Sequence, residues 1–342
     1  MRAHVRTVIV LALSVGMLAW FLRGANLREV WVEIQNGRVG LLALAVGVTC
    51  MTYAFRALRW QYLLQPLGSP PFSAVFKTTV IGFAASTLLP ARAGEVVRPY
   101  LLARRAGFSA TSAFATIILE RLLDLVTVLL LFGFYLALYT PAVAAGHSAT
   151  FTALKSGGLL AAVASVAGLV FMMVVAGHPE KLATWALRVE RVLPAKMASA
   201  VAHLVRTFLE GLAVVRQPRR LAIACLLSMP LWLSIALGIW STSRAFHIEM
   251  SYPGAFLMMA VLVVGVAVPT PGAVGGFHKA YQIGAVAFFG VANDRAVGAA
   301  VVLHAISFVP VTIAGAIFLA QEGLSLSRIR GLAAPDASGG AA

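Results

Sequence analysis

Apolar residues in this chain gather in blocks that are long enough to cross a lipid bilayer. A transmembrane helix needs about 20 mostly apolar residues, and 60% of the 342 residues are hydrophobic while 11% are charged. Backbone polar groups inside a bilayer must be satisfied locally, which a helix achieves. The chain is therefore predicted to be an all-α polytopic membrane protein. Six blocks have the length of a crossing helix: Val5–Leu22, Val39–Ala57, Ser109–Tyr139, Lys155–Gly177, Leu221–Thr242 and Arg295–Gln321.

The net charge of +15 comes from basic loops that lie beside these blocks. Loops rich in Lys and Arg stay on the cytoplasmic side of a membrane. This rule places segments 91–106 and 178–220 and both termini in the cytoplasm, whereas the nearly uncharged segments 140–152 and 243–252 are predicted to be external. No nucleic-acid partner is expected, because no nucleic-acid-binding pattern accompanies the basic residues.

Two further apolar segments, 72–107 and 253–293, are interrupted by Pro and Gly. If both segments crossed the membrane, the two most basic loops would fall on the external side, against the charge rule. Each segment is therefore predicted to enter and leave from one side as a re-entrant helical hairpin, the first from the cytoplasm and the second from outside. Broken backbone at membrane depth is tolerated where protein or water satisfies its polar groups.

An internal repeat relates the two hairpins and the helices beside them. Three crossings separate equivalent starting points, which predicts an inverted repeat over about 39–139 and 219–321, the arrangement in which many transporters place a midplane site. One transmembrane domain, 1–322, is predicted, with a cytoplasmic linker at 178–220 and a disordered tail at 323–342. The matching residues lie 180 to 183 positions apart: Trp60 and Trp240, Pro90 and Pro271, Gly94 and Gly275, Gly107 and Gly290, and Arg121 and His304.

Three charged residues, Glu120, Arg121 and Asp124, interrupt the third apolar block. Each ionised group at the centre of a membrane costs about 2.5 to 3.5 kcal/mol even on lenient insertion scales. Spacings of three and four residues direct all three side chains to one sector of a helix. A structural ion pair seldom requires three charges in hydrocarbon, so a substrate-binding role is favoured over a packing role.

The first hairpin carries Glu95 and Arg98 just after its break. Arg98 offers a bidentate clamp for an anion. A Glu95–Arg98 pair that only locks the hairpin is the alternative. In the second hairpin, exposed backbone amides near a helix start can face a phosphate. The candidates there and on the following helix are Gly272, Gly275, His278, Lys279 and His304, with an interfacial anchor for Lys279 and a packing role for His304 as the alternatives.

Basic residues elsewhere have simpler interpretations. Arg56 and Arg59, near the end of the second block, are predicted to snorkel to lipid headgroups. The linker contains an apolar stripe at helical spacing, which predicts a helix on the membrane surface. Docking of a cytoplasmic partner is the alternative. The stripe consists of Met197, Val201, Leu204, Phe208, Leu212 and Val215.

The chain resembles the flippase-like membrane family that includes the N-terminal domain of lysylphosphatidylglycerol synthases. The resemblance rests on segments 56–60, 90–98, 120–124 and 269–276, and it extends over about 39–321. It implies movement of phospholipid or lipid-linked headgroups between leaflets. Only about twenty residues follow Gln321, so lysyl transfer is not expected. His278 stands where the family pattern suggests an acidic residue, which favours a second hairpin that attracts anions.

The expected function is that of a lipid flippase-like transporter in a bacterial or archaeal inner membrane, acting on anionic phospholipid headgroups. An ion-coupled transporter of small solutes and a non-transport accessory subunit are the alternatives. The protein is not expected to be an enzyme, since no nucleophile with a base, no metal-ligand set and no cofactor motif is evident. Besides lipids, the partners considered are a second copy of the chain, forming a homo-oligomer, and a cytoplasmic protein at the linker 178–220.

Overall fold

The computed structural model describes residues 2–89, 92–144, 148–177, 195–267 and 270–323. The predicted breaks at Pro90 and Pro269, linker residues 178–194 and the tail from 324 onward lie outside this part. The described chain is helical throughout, as predicted. Its helices are α1 Arg2–Leu22, α2 Leu27–Gln35, α3 Val39–Leu64, α4 Phe72–Leu88, α5 Gly94–Ala106, α6 Ala110–Ala144, α7 Ser148–Gly177, α8 Ala195–Gly211, α9 Pro218–Ala245, α10 Gly254–Ala267, α11 Gly276–Phe289 and α12 Asn293–Gln321.

Five helices of the described chain are long and apolar enough to cross a membrane, in agreement with five of the six predicted blocks. They correspond to α3, α6, α7, α9 and α12, and their apolar windows have mean hydropathies between 1.7 and 2.2. The remaining predicted block, Val5–Leu22, forms α1, a helix of 21 residues. The prediction of a polytopic helical membrane protein is confirmed.

Helices α4 with α5 and α10 with α11 form two helical hairpins, at the two segments that Pro and Gly interrupt. These helices have 17, 13, 14 and 14 residues. At 1.5 Å per residue they are about 20 to 26 Å long, shorter than the roughly 30 Å of a hydrocarbon core. We call them the first and the second hairpin. Their entry from one side of the membrane remains a prediction.

Glycine pairs bring the two helices of each hairpin together. In the first hairpin a methyl group on Gly94 would overlap the carbonyl oxygen of Gly82. In the second hairpin a methyl group on Gly276 would overlap the carbonyl oxygen of Gly265. The absence of a side chain at these positions therefore allows backbone-to-backbone packing, as small residues do between membrane helices.

The two halves of the chain pack against each other around α3 and α9. These two helices run along each other, α4 packs against α12, and α6 packs against α10. Between α3 and α9 the hydroxyl groups of Thr52 and Ser234, which are 182 positions apart, lie 2.8 Å from each other. That separation falls within the predicted repeat offset. The inverted relation of the halves itself remains a prediction.

The linker helix α8 packs on the start of α6. Ser112 donates a hydrogen bond of 2.7 Å to the carbonyl oxygen of Thr207, and Gly211 lies against the Ser112 backbone. The helix ends at Gly211, so the last two stripe positions, Leu212 and Val215, lie beyond it and are buried. Leu204 is 54% exposed. The described part of the stripe therefore divides between protein packing and an outward-facing surface.

Candidate functional site

A cavity of about 600 Å³ lies between the two hairpins and is also lined by α3, α6, α9 and α12. Most of its wall is apolar, and its polar side chains come mainly from the first half of the chain. The charged residues on the wall are Arg56, Arg92, Glu95, Arg98, Arg121 and Asp124.

A buried network of ion pairs supports the wall beside α6. Arg59 of α3 donates to Glu120 at 2.9 Å and to Asp124 at 2.7 Å. Arg98 of α5 approaches the other oxygen of Glu120 at 3.0 Å. The Arg59 and Glu120 side chains are both 0% exposed. Each carboxylate thus has partners from other helices, which a charge needs when it is taken out of water.

Neutral side chains hold the same network in place. Trp232 of α9 donates to Asp124 at 2.9 Å, and Arg59 also donates to the hydroxyl oxygen of Ser228 at 2.9 Å. The guanidinium of Arg98 lies 3.8 Å from the ring centroid of Trp60, close enough for a cation–π interaction. Four helices, α3, α5, α6 and α9, are therefore joined through these contacts.

Arg121 faces the cavity in front of this network. Its guanidinium lies 3.3 Å from Asp124 and 3.5 Å from Glu120, both on its own helix. Glu95 of the first hairpin is 3.9 Å away, at the limit of an ion pair. The Arg121 and Glu95 side chains are each 36% exposed. The acids hold Arg121 from behind and leave part of its side chain accessible from the cavity.

Arg56 lines the cavity, and no carboxylate of the described residues lies within ion-pair distance of it. It is 9% exposed, and its guanidinium lies 4.8 Å from the ring centroid of Phe83 and 5.9 Å from that of Trp232. Its buried Nη1 has no hydrogen-bond partner among the described residues. The aromatic faces attract the cation but accept no conventional hydrogen bond. The charge of Arg56 is therefore not paired with a carboxylate in the part of the chain that the structure describes.

The tips of the two hairpins meet at one end of the cavity. Arg92, just after the break of the first hairpin, adopts a left-handed backbone with φ 52°. Its guanidinium donates to the carbonyl oxygen of Val266 near the end of α10, at 2.6 Å. Gly272 of the second tip lies against Thr87 at the end of α4. These contacts join the hairpins directly.

The second hairpin contributes one predicted site residue to the wall, Gly272. Behind it, the Nε2 of His304 lies 2.7 Å from the Gly272 carbonyl oxygen, and the His278 and His304 rings are 4.3 Å apart. The amide of Gly275 donates to the Nδ1 of His278 at 3.3 Å. These histidines hold the tip in shape and do not line the cavity.

Lys279 also points away from the cavity. Its ammonium group donates to Gln282 at 2.8 Å and lies 4.7 Å from a ring centroid of Trp20 on α1. Lys279 therefore does not line this cavity, and both its predicted role in substrate binding and the anchor interpretation stay predictions.

The family model for the lysylphosphatidylglycerol synthase TM region matches residues 7–315. The chain belongs to this family. A search of characterised proteins matches the glycosyltransferase AglD of Haloferax volcanii, 28% identical over 126 residues. That match covers 36% of this chain and 20% of AglD, so the chain spans only a part of that relative's length. Together with the apolar helices, the family assignment establishes a multi-pass membrane protein.

In this member of the lysylphosphatidylglycerol synthase transmembrane-region family, the sequence prediction for α6 is confirmed in its geometry. Glu120, Arg121 and Asp124 do face one interior sector, beside Arg98 of the first hairpin. The alternative of a Glu95–Arg98 pair is wrong, since Arg98 pairs with Glu120 and Glu95 approaches Arg121. Arg98 points toward α6, where the more buried carboxylate lies.

The snorkelling interpretation is wrong for Arg59 and Arg56 in this family member. Arg59 is 0% exposed inside the ion-pair network, and Arg56 lines the cavity. The burial of an arginine from another helix could have been predicted, because the α6 cluster holds two acidic residues and one basic residue. The surplus negative charge required a cation from another helix, and α3 carries two arginines within its apolar length.

Proposed function

We propose that this protein is a lipid flippase-like transporter of the cell membrane, which moves phospholipid or lipid-linked headgroups between leaflets. The observation that carries the proposal is the cavity between the hairpins, with arginines and carboxylates on a mostly apolar wall. A charged headgroup cannot cross bare hydrocarbon without a large free-energy cost. A cavity that offers paired charges at membrane depth lowers that cost while the acyl chains remain in lipid.

The size of the cavity is compatible with a headgroup. Small-molecule sites occupy about 300 to 1,000 Å³, and this cavity has about 600 Å³. The paired glycines of the two hairpins and the Thr52–Ser234 contact support a repeat at one offset. We propose that the repeat is inverted, that the hairpins are re-entrant, and that both termini are cytoplasmic. Alternating access would then arise from rocking of the halves.

The protein is proposed to act without covalent chemistry. AglD is named as a glycosyltransferase, but the matched stretch is a fifth of that protein. The proposal assigns to this chain the movement of a lipid.

An ion-coupled solute transporter is the second candidate, because the same charged cavity can hold a small soluble anion. A reconstitution experiment separates the two. In liposomes that contain the purified protein, a lipid labelled on its headgroup should change leaflet faster than in protein-free liposomes. Solute uptake without lipid movement would contradict the flippase proposal.

The reconstitution should include Arg121→Gln and, as a matched control, Arg104→Gln. Arg121 faces the cavity, whereas Arg104 is exposed and does not line it. Loss of one charge-assisted contact should slow leaflet transfer about tenfold in Arg121→Gln. Arg104→Gln should transfer at the original rate. Equal rates of leaflet transfer for the two variants would show that the Arg121 side of the cavity takes no part in transport.

A third candidate, an accessory subunit that docks a cytoplasmic partner, rests on the exposed part of the linker stripe at Leu204. Leu204→Gln would then abolish function in cells while Arg121→Gln would not. The flippase proposal predicts the reverse order. Measuring both variants in the same cellular assay therefore separates this candidate from the other two.

A further inference from the structure

Positive charge exceeds negative charge around the cavity. Among the residues that the structure describes, the charged groups on the wall or bound directly to it are five arginines and three carboxylates, a net charge of +2. They are Arg56, Arg59, Arg92, Arg98, Arg121, Glu95, Glu120 and Asp124. The structural ion pairs therefore do not use all of the positive charge.

The surplus is located at particular donors. Arg59 pairs with two carboxylates through its two terminal nitrogens, although its buried Nε has no hydrogen-bond partner among the described residues, and Arg92 binds a backbone carbonyl oxygen. By contrast, Arg56 has no carboxylate within ion-pair distance among the described residues, and its Nη1 lacks a partner. The Nε and Nη2 of Arg98, the Nε of Arg121 and the Oδ2 of Asp124 are likewise buried and lack hydrogen-bond partners among the described residues. All three of these arginines line the cavity.

Uncompensated buried charge is costly, so this arrangement requires a reason. Desolvating a cation costs several kcal/mol unless an anion and hydrogen bonds compensate it. Guanidinium groups match phosphate oxygens in a planar, bidentate geometry. Arg56 is 9% exposed and lies near two aromatic rings, which attract its charge but do not neutralise it.

We propose that the headgroup taken by this cavity is a phosphate group bearing two negative charges, with Arg56 as its principal ligand and Arg98 and Arg121 beside it. A dianion neutralises the net charge of the site, whereas a phosphodiester with one negative charge leaves half of it. A zwitterionic headgroup adds a cation where cations already exceed acids. The proposal rests on the proposed function, because it takes the ligand to be a lipid.

The binding test compares lipids that differ in headgroup charge. Purified protein in phosphatidylcholine nanodiscs should bind phosphatidic acid, a phosphate monoester, more tightly than phosphatidylglycerol, which carries one negative charge. Phosphatidylcholine should not compete. Arg56→Gln should weaken phosphatidic acid binding about tenfold, the loss expected for a charge-assisted hydrogen bond. Arg104→Gln should bind as the original protein does.

The pH dependence gives a second readout that needs no variant. A phosphate monoester loses its second proton with a pKa of about 6. Binding of phosphatidic acid relative to phosphatidylglycerol should therefore strengthen between about pH 5.5 and pH 8. Phosphatidylglycerol acts as the internal control, because a pH-dependent change in the cavity itself, whose charged residues include Arg56, Glu95 and Asp124, would affect both lipids. A pH-independent ratio would overturn the dianion assignment.

Three further outcomes separate the inference from the function. Leaflet transfer with equal affinity for phosphatidic acid and phosphatidylglycerol would overturn the inference and leave the flippase proposal intact. Selective binding of phosphatidic acid without leaflet transfer would support the inference and contradict the flippase proposal. Inorganic phosphate that binds as tightly as phosphatidic acid would support the anion site but identify a soluble source.

Discussion

The two hairpins share a backbone device and differ in chemistry. Each is closed by a pair of glycines, Gly82 with Gly94 and Gly265 with Gly276. The first hairpin directs Arg98 into a buried ion-pair network. At the second tip, by contrast, His304 lies within hydrogen-bond distance of the Gly272 carbonyl oxygen, and its ring stacks beside Phe308.

The comparison separates what shapes the cavity from what gives it charge. Small residues and packed aromatic rings are sufficient to form a hairpin at the second half. The charged residues that line the cavity in the described chain all belong to the first half: they lie on α3, α5 and α6, and Arg92 lies at the tip of the first hairpin. Under the proposed function, headgroup binding would therefore depend mainly on the first half.

The largest expected effect concerns the buried network. Glu120→Gln leaves Arg59 and Arg98 without their shared carboxylate. Removing one partner of a buried ion pair typically destabilises a protein by about 3 to 5 kcal/mol. Unfolding in detergent or bicelles measures the change. The matched control is Glu210→Gln, since Glu210 forms an exposed pair with Arg206. A similar loss of unfolding free energy in both variants would show that the buried network contributes no more to stability than an exposed ion pair does.

An intermediate loss of unfolding free energy is expected when a glycine of either pair is replaced, and it should be similar in the two hairpins. Gly94→Ala and Gly276→Ala each place a methyl group on a facing carbonyl oxygen. Overpacking of this kind costs about 1 to 3 kcal/mol, measured by the same unfolding assay. Gly133→Ala is the control, because a methyl group there meets nothing within 4 Å. Tolerance of one substitution but not the other would mean that the hairpins do not share the device.

The smallest effect is expected at the second tip. His304→Phe keeps a ring beside Phe277 and Phe308 but removes the contact with the Gly272 carbonyl oxygen. Loss of one hydrogen bond should lower the free energy of unfolding by about 1 kcal/mol. Phosphatidic acid affinity should remain unchanged, since His304 does not line the cavity. A tenfold loss of affinity, as in Arg56→Gln, would contradict the asymmetry between the halves.

Several features could be predicted from sequence because they depend on local composition. The length of an apolar block determines whether a helix can cross a bilayer, and five predicted blocks correspond to helices of that kind. Prolines and glycines marked both hairpins. The spacing of Glu120, Arg121 and Asp124 on one helix determined that they face the same way.

The contacts between side chains of distant helices could not be predicted from the sequence. Arg59 and Arg56 have the spacing and flanking aromatic residues of a membrane-surface belt, and only the packing of α3 between α6 and α9 brings them into the interior. Similarly, His278 and Lys279 are adjacent in sequence, yet one stacks on His304 and the other reaches Trp20. Which faces of these helices are covered depends on their neighbours.

Length and apolarity of segments thus specified a polytopic helical membrane protein with two broken segments and an expensive group of charges in its third block. The partners of those charges came from the fold, because an ion pair between α3, α5 and α6 joins residues up to 65 positions apart. No local pattern encodes such a distance. The cavity exists for the same reason, since its wall is assembled from helices of both halves.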